Sequence, residues 1–412
     1  MINPNSKLKI GFLLDRAATL KTYAPIIIEV LRRHLPATII AGPDPKNSYQ
    51  NNPSYRPIKE NLLFPGSNKI EYLDFKDNLS LPTLLSEKKI NCLLIAPFTK
   101  KSFDGILPKI TTQNIKIYSV QWYADYLVMS PNDLSLVKNL FVYSQESINI
   151  YHQTFPKASS SHLSKLIPVG FPPLESLNHL PPKTTLKHQY KLPSNKPVIT
   201  LFSLNIGKHD PFRLNRVFGA SSRLQAVRHC LSAGKITSLK DALFSPRYEN
   251  IVNLIKKWAH HQGATLIIKS RTKHTEPPYV KNVADLFITD DANWFPQTSF
   301  SVISISDLIF TFLSSATLES AALGVGCVNI TAPHIPDPKN KSAAFYNAQY
   351  NTPGINITVD YRHLSKFLST HTISDLLVNK AEQSKFITQY LSYNDRLASS
   401  RIIDHILKTY KI

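Results

Sequence analysis

The sequence predicts an α/β protein built from two open, largely parallel sheets. Three observations carry this. Short apolar runs rich in β-formers recur along the chain, most followed by a polar turn and many by a helix-periodic stretch. Residues 177–197, rich in Pro, Lys and His and poor in periodicity, interrupt that alternation midway. Residues 304–330 (SISDLIFTFLSSATLESAALGVGCVNI) read strand, serine turn, helix, glycine, strand, which is one complete βαβ unit. A chain of 412 residues also exceeds a typical single domain and suits two.

In chain order, residues 8–14 form the first buried strand, with Asp15 and Arg16 at its carboxyl end. Residues 22–35 follow with helical spacing through Ile26, Ile27, Val30 and Leu31. Residues 37–41 are a second strand. Residues 42–69, rich in Pro, Asn and Ser, read as a long loop. A short helix at 81–87 precedes a strand at 90–96. The strand at 115–120 leads into Gln121-Trp122-Tyr123-Ala124-Asp125. A strand at 139–143, a helix at 145–154 and a strand at 165–169 complete the first half.

The second half restarts with a strand at 198–202, which leads toward Lys208 and His209. Residues 209–235 are irregular and basic, with Arg213, Arg216, Arg223 and Arg228. Residues 246–262 form an amphipathic helix through Ile251, Leu254, Ile255 and Trp258, stopped by Gly263. The strand at 264–268 delivers Lys269, Ser270, Arg271 and Lys273 at its carboxyl end. A strand at 285–289 leads into Asp290, Asp291, Trp294 and Phe295. A helix at 298–305 feeds the βαβ unit: strand 308–313, helix 316–323, strand 327–331. Helices are expected at 343–350 and 364–368, and over 381–409 with one or two breaks. The expected division is therefore a domain at 1–180, a linker at 181–197, a domain at 198–380 and C-terminal helices at 381–412.

Composition limits the partners. The chain is 42% hydrophobic and 18% charged, hence globular. Its net charge of +20 favours an anionic partner: nucleic acid, an anionic lipid face or a phosphorylated substrate. No arginine-rich arm, zinc-finger spacing or aromatic RNA-binding motif is present, so no nucleic acid is expected. Cys92, Cys230 and Cys327 lie far apart, which suits reduced thiols in the cytoplasm. Asp290 and Asp291 have no further oxygen ligands nearby in the sequence, so no metal is expected. The apolar core of the N-terminus runs into Asp15 and Arg16, unlike a signal peptide, and no run approaches the ~20 apolar residues of a membrane span.

The serine turn carries the clearest chemistry. Ser314 and Ser315 lie at a strand's carboxyl end, where open α/β sheets bind ligands, and at a helix start, which attracts phosphate. Glu319 falls four residues after Ser315, on the same helical face. A phosphate at the serines and a sugar hydroxyl at Glu319 would fit one nucleotide. Serine is also a favoured N-cap. A capping box does not account for Glu319, because the residue three before it is Ala316. Spacing leaves Glu319 as a solvated helix carboxylate or a ligand contact. Lys269 and Arg271 are diphosphate ligands or a solvated strand end. Lys208, His209 and Arg213 are diphosphate ligands or a basic surface loop. Asp15 and Asp125 follow strands of the first half and are candidate general bases or helix-capping acids. Trp294 and Phe295 are stacking partners or core.

Three blocks carry a family resemblance. Residues 141–177 (FVYSQESINIYHQTFPKASSSHLSKLIPVGFPPLESL) give a strand ending in Ser, a helix, then Ile-Pro-Val-Gly-x-Pro. Residues 264–273 (ATLIIKSRTK) resemble a strand ending in Lys-Pro-His-Pro. Residues 304–330 resemble an Asp-x-x-Ile-Thr-x-x-Ser-Ser block followed by a helix with Glu and a Gly-x-Pro. Together they resemble the GT-B glycosyltransferases, nearest the CDP-glycerol glycerophosphotransferase-like and capsule or surface-polysaccharide transferases. Ser270 and Arg271 stand where Pro-His is usual, so only Lys269 transfers directly. Gly326 replaces the usual Pro. Gln121 stands where some relatives have His-Gly, so no histidine base carries over.

The resemblance implies two Rossmann-like domains facing a cleft, followed by a C-terminal helical segment. It implies that the donor binds the second half and the acceptor the first. It also implies that no metal or other cofactor is bound, the nucleotide-activated donor being a substrate. Helix-start N–H groups and cationic side chains would then stabilise the diphosphate, and Glu319 would contact the ribose. The implied reaction moves a sugar or polyol phosphate from a nucleotide-sugar or CDP-polyol donor to a cell-surface glycan or lipid-linked acceptor. A cytoplasmic protein docked peripherally on the anionic inner face of the membrane would give the basic charge a use. The competing readings are a nucleotide-sugar epimerase of related fold, which needs its own acid–base set, and a non-catalytic homologue that binds nucleotide-sugar or glycan.

Overall fold

The computed structural model describes residues 8–14, 19–42, 62, 64–75, 78–96, 106–122, 129–203, 228, 231, 248–270, 276–289, 295–312, 314–331 and 349–410. The chain forms two compact units: Met1–His179 with Ala292–Gln297 and Ile387–Ile412, and Leu180–Asp291 with Thr298–Phe386.

The first unit holds strands β1 (Ile10–Leu14), β2 (Ala37–Ala41), β3 (Glu71–Asp74), β4 (Cys92–Ile95), β5 (Lys116–Val120), β6 (Asn139–Val142) and β7 (Leu166–Pro168). Its helices are α1 (Leu20–Arg32), α2 (Leu81–Glu87), α3 (Ile106–Thr111), α4 (Pro131–Ser135), α5 (Gln145–Thr154) and α6 (Ser160–Leu163). All strand pairs are parallel, in the order β3-β2-β1-β4-β5-β6-β7. The central strands β1 (IGFLL) and β2 (ATIIA) are buried along their whole length, as strands covered on both faces must be.

In the second unit, helix α7 (Lys183–Gln189) precedes β8 (Val198–Phe202). Then come α8 (Tyr248–His261), β9 (Thr265–Lys269), α9 (Pro278–Val283), β10 (Leu286–Ile288), α10 (Thr298–Ile305), β11 (Leu308–Thr311), α11 (Ala316–Leu323), β12 (Gly326–Thr331), β13 (Asn356–Asp360) and α12 (Leu364–Thr370). This sheet is also wholly parallel, in the order β10-β9-β8-β11-β12-β13. Helices α13 (Lys380–Tyr390) and α14 (Ala398–Tyr410) close the chain.

The C-terminal segment does not stand alone. α14 buries Ile402, Ile403 and Ile406 in the same apolar cluster as Ile26, Ile27 and Val30 of α1. Arg33 fixes the register by reaching Asp404 at 2.5 Å and Ser400 Oγ at 2.7 Å.

The sequence reading has no strand where β3 (EYLD) and β13 (NITVD) lie. Both are edge strands with half-exposed residues and no apolar run. Residues 181–197, expected as a linker, hold α7, whose polar sequence KTTLKHQ buries one apolar anchor, Leu186, against Val198, Ile267, Val302 and Ile305. Of the expected loop at 42–69, residues 43–61 and 63 lie outside the described residues, as do most of 209–235 and residues 343–348.

Candidate functional site

The strand order of the second sheet places a topological switch point between β8 and β11. Chain connections leave those two strands in opposite directions across the sheet, the kind of place at whose carboxyl ends open α/β sheets bind ligands. Ile268, Leu201 and Phe310 lie on one level across β9, β8 and β11. Lys269 and Thr311 each come one residue later, so both stand at the carboxyl edge, two strands or about 10 Å apart.

Side-chain alternation sorts this edge into two faces. Ile267 and Phe202 pack on the side of α10 and α11, and Lys269 shares the parity of Ile267. Ile199, Leu201, Leu266 and Ile268 pack on the other side, with α8. Ser203 and Ser270 share their parity.

On the α11 side the serine turn is tied internally. Ser314 Oγ lies 2.8 Å from Thr311 Oγ1 and accepts the Ala316 N–H at 3.2 Å. The Thr317 N–H donates to the Ser314 carbonyl at 3.1 Å, and the Leu318 N–H to that of Ser315 at 3.0 Å. Ser314 is thus the side chain that caps α11. Ser315 makes no capping bond, and its hydroxyl points to Glu319 Oε1 at 3.4 Å. An anion entering here meets serine hydroxyls first and competes with Ser314 for the helix-start N–H groups. Glu319 is only 1% exposed. The reading of it as a solvated helix carboxylate is therefore corrected: burial in the first turn of an apolar helix removes it from water. α11 is held deeper by Thr317 Oγ1 donating to Asn329 Oδ1 at 2.8 Å. It is closed by Gly324 in the left-handed region at φ 71°.

Lys269 is 4% exposed, and its ammonium donates to the Ser270 carbonyl at 2.7 Å. This corrects the reading of Lys269 as a solvated strand end.

On the α8 side lies a cluster that sequence reasoning missed. Glu276 Oε1 accepts hydrogen bonds from Ser203 Oγ and, at 2.7 Å, from Ser270 Oγ. The Tyr248 hydroxyl donates to Ser203 Oγ at 3.2 Å. Burial pushes the Glu276 carboxyl above the usual range, against the pull of both serines and of Lys281. The only sequence signal was an acid directly before Pro277-Pro278, where a helix starts.

Other predicted residues divide as follows. Asp15, Asp125, Lys208, His209, Arg213, Arg271, Asp290, Asp291 and Trp294 lie outside the described residues. Phe295 is core: it is 3% exposed and packs edge-on to Phe64 at 6.2 Å. Gln121 is buried and bridges two strand ends, donating its N–H to Phe141 O at 2.8 Å and accepting the Tyr143 N–H at 3.0 Å on Oε1. Gly326 admits no side chain, because a Cβ there would lie 2.1 Å from the Leu376 carbonyl oxygen. Among the described residues no group of three or more His, Cys, Asp or Glu could hold a metal ion.

Solved structures match over nearly the whole chain. The UDP-GlcNAc 2-epimerase from Neisseria meningitidis bound to UDP-GlcNAc is 13% identical, with a TM-score of 0.58 over 97% of this chain and 100% of that one. The S. aureus MnaA–UDP co-structure is 12% identical, with a TM-score of 0.57 over 98% and 97%. The wall teichoic acid polymerase TagF is 14% identical, with a TM-score of 0.55 over 98% of this chain and 90% of that one. The fold is of the GT-B type. Likeness at this identity concerns the GT-B fold alone, which hosts more than one chemistry. No protein-family profile and no curated protein matches the chain.

Proposed function

We propose that the second unit binds a nucleotide-activated donor at the ends of β8 and β11, and that the protein transfers a sugar or polyol phosphate from it to a cell-surface glycan or lipid-linked acceptor. The observation that carries this reading is the burial of Glu319 beside the serine turn, at the switch point of the sheet. A buried carboxylate there suits the paired hydroxyls of a ribose. Serine hydroxyls suit phosphate oxygens, and the buried Lys269 ammonium supplies positive charge at the same edge. In a sugar transfer the acceptor oxygen bonds to the sugar carbon as the bond from sugar to diphosphate breaks. In a polyol phosphate transfer it bonds to phosphorus as the phosphoanhydride breaks. In both, the acceptor hydroxyl gives up its proton, and charge develops on the phosphate of the leaving nucleotide. Cations and hydroxyl donors stabilise that charge without a metal. Asp15 and Asp125 remain the candidate bases, by their places after strands of the first half.

A nucleotide-sugar epimerase is the second reading, favoured by the likeness to UDP-GlcNAc 2-epimerase over 97% of the chain. Donor turnover separates the two. An epimerase converts a nucleotide-sugar alone, whereas a transferase awaits an acceptor and releases free nucleotide.

The first experiment is a thermal-shift screen with CMP, CDP, UDP, GDP and their sugar or glycerol conjugates. A ligand at a hundred times its Kd adds about 2.7 kcal/mol to apparent stability, so the preferred nucleotide stands out. No shift with any of them sinks both readings. Among the described residues no helix is long and apolar enough to cross a membrane. We propose that the net charge of +20 docks the protein on anionic lipid. Co-sedimentation with phosphatidylglycerol vesicles that weakens with salt is the expected result, and equal binding to neutral vesicles would overturn it.

A further inference from the structure

We propose that Glu276 is a positioning residue of the donor site: it ties the carboxyl ends of β8 and β9 together and, through Ser270, sets the place of the Lys269 ammonium. This rests on the donor-binding reading above.

The geometry is a short chain of contacts. Ser203 and Ser270 are the first residues past β8 and β9, and both hydroxyls converge on one carboxyl oxygen of Glu276. The same two serines also carry backbone rungs between β8 and β9 and between β9 and β10. The Ser203 N–H donates to Lys269 O at 2.9 Å, and the Ser270 N–H to Ile288 O at 2.7 Å. The Ser270 carbonyl in turn receives the Lys269 ammonium at 2.7 Å. Glu276 therefore holds the residue that holds the lysine. It does so from the α8 face, while the lysine side chain belongs to the α11 face, where the serine turn lies.

Stability does not explain this carboxyl. Glu276 is 3% exposed, and its Oε2 has no hydrogen-bond partner among the described residues. A buried carboxyl oxygen without a partner is unfavourable, and an apolar residue of similar size would be tolerated better. What an apolar residue cannot do is accept both serine hydroxyls and fix two strand ends in one register. The ionisable groups around it are Tyr248, through Ser203, Tyr279 and Lys281 on α9, and Lys269, through Ser270. Burial outweighs the two serine hydrogen bonds and Lys281 and raises the carboxyl's pKa from its usual value. Glutamine keeps the shape and one accepting oxygen for the two serine hydroxyls, and alanine removes the tie.

The test uses the full chain and two readouts. The first needs no nucleotide: amide hydrogen exchange of residues 198–203 and 265–270 in the wild type, Glu276→Gln and Glu276→Ala. Alanine is expected to speed exchange at Ser203 and Ser270, and glutamine to leave it near wild type. The second is titration with UDP, CDP, GDP and the nucleosides uridine, cytidine and guanosine. Glu276→Ala is expected to weaken whichever nucleoside diphosphate the wild type binds about tenfold while leaving the nucleosides unchanged, and Glu276→Gln to stay within about twofold of wild type. Unchanged exchange in the alanine variant overturns the tie. Equal losses for nucleotide and nucleoside, or a glutamine variant as impaired as alanine, overturn the positioning role. Should alanine prevent folding, Ser270→Ala decides in its place. It removes one of the two hydroxyls held by Glu276 and is expected to speed exchange at Ser270 and to weaken the nucleotide but not the nucleoside, and no change in either overturns the proposal. A wild type that binds none of CMP, CDP, UDP and GDP or their conjugates rejects the donor-site reading and the positioning role built on it, and the exchange readout still judges the tie alone.

Discussion

In the first sheet the described residues that directly follow strands are Gly42, Phe75, Ala96, Gln121, Tyr143 and Val169, none of them charged, and the one charged residue that ends a strand, Asp74 of β3, is exposed. In the second sheet β8 and β9 give way to Ser203 and Ser270, β9 ends on Lys269, and Glu276 and Glu319 are buried beside the strand ends. Both sheets are parallel and share one strand order, with a switch point between the first and fourth strands of each. Topology therefore demands neither edge. Polar closure of a strand end can be met by a neutral amide, as Gln121 meets it for Tyr143. Burying a lysine and two carboxyls at the other edge costs desolvation that the fold does not require. Among the described residues, the buried ionisable groups, more than the shared architecture, mark the second edge as the candidate donor site, while Asp15 and Asp125 of the first half lie outside them.

Packing differs between the sheets too, and the largest expected effect tests it. A Cβ on Gly326 would meet the Leu376 carbonyl oxygen at 2.1 Å, whereas a Cβ on Gly11 in β1 would meet only side-chain methyl groups, the nearest at 3.0 Å. Backbone cannot turn aside as a methyl can. Gly326→Ala should cost about 3 kcal/mol or more and Gly11→Ala about 1 kcal/mol in urea denaturation. Equal losses would end the contrast. The proline usual at this place in the resembling family would meet the same oxygen.

A carboxyl is half-buried in the first unit as well, away from the strand edge. Glu175 lies in the 3-10 segment Pro172–His179, and its Oε1 accepts the Ser399 N–H of α14 at 2.6 Å. Burial pushes its pKa up to about 7, helped by Glu29 and Asp395 and opposed by that hydrogen bond. The folded acid is then protonated where the unfolded one is not. Its contribution is full below the unfolded pKa of about 4.5 and is lost as pH rises toward about 7. Stability should fall by about 2 kcal/mol over that window, allowing for solvent at a half-buried carboxyl, and Glu175→Gln should remove that fall. If this pH dependence tracks nucleotide affinity instead of α14 docking, the division of roles between the units is wrong.

What the sequence disclosed follows from how each element is buried. Central strands and amphipathic helices write their burial into apolar runs, so the helices at 145–154, 298–305 and 316–323 and the strand at 198–202 coincide with the observed elements. Edge strands β3 and β13 are half exposed and leave no such run. α7 hid because one leucine suffices to anchor a short polar helix. At the candidate site, the places of Ser314, Ser315, Glu319 and Lys269 at strand and helix ends were legible because a serine turn and a basic strand end are local patterns. Glu276 was not. Its partners Ser203 and Ser270 come from two strands that only the parallel register brings together. No spacing in one dimension encodes that meeting.

The smallest expected effects draw the contrast most finely, because they set stability against binding. Gln121→Ala would leave the Tyr143 N–H buried without its acceptor, a loss of about 1–2 kcal/mol. Ser314→Ala would remove the side chain that caps Ala316 and meets Thr311, a loss of about 1 kcal/mol. Stability alone would rank Gln121 first. If the polar edge of the second sheet is the donor site, binding must rank them in reverse. Gln121→Ala should leave the affinity for the preferred nucleotide within about twofold, and Ser314→Ala should weaken it about tenfold through the lost hydroxyl contact with phosphate. Titration of both variants at a temperature where each is folded decides the order. A Ser314→Ala variant that binds as well as wild type would make the serine turn a helix cap and nothing more, and Lys269 with Glu319 would have to account for the phosphate and the ribose without it.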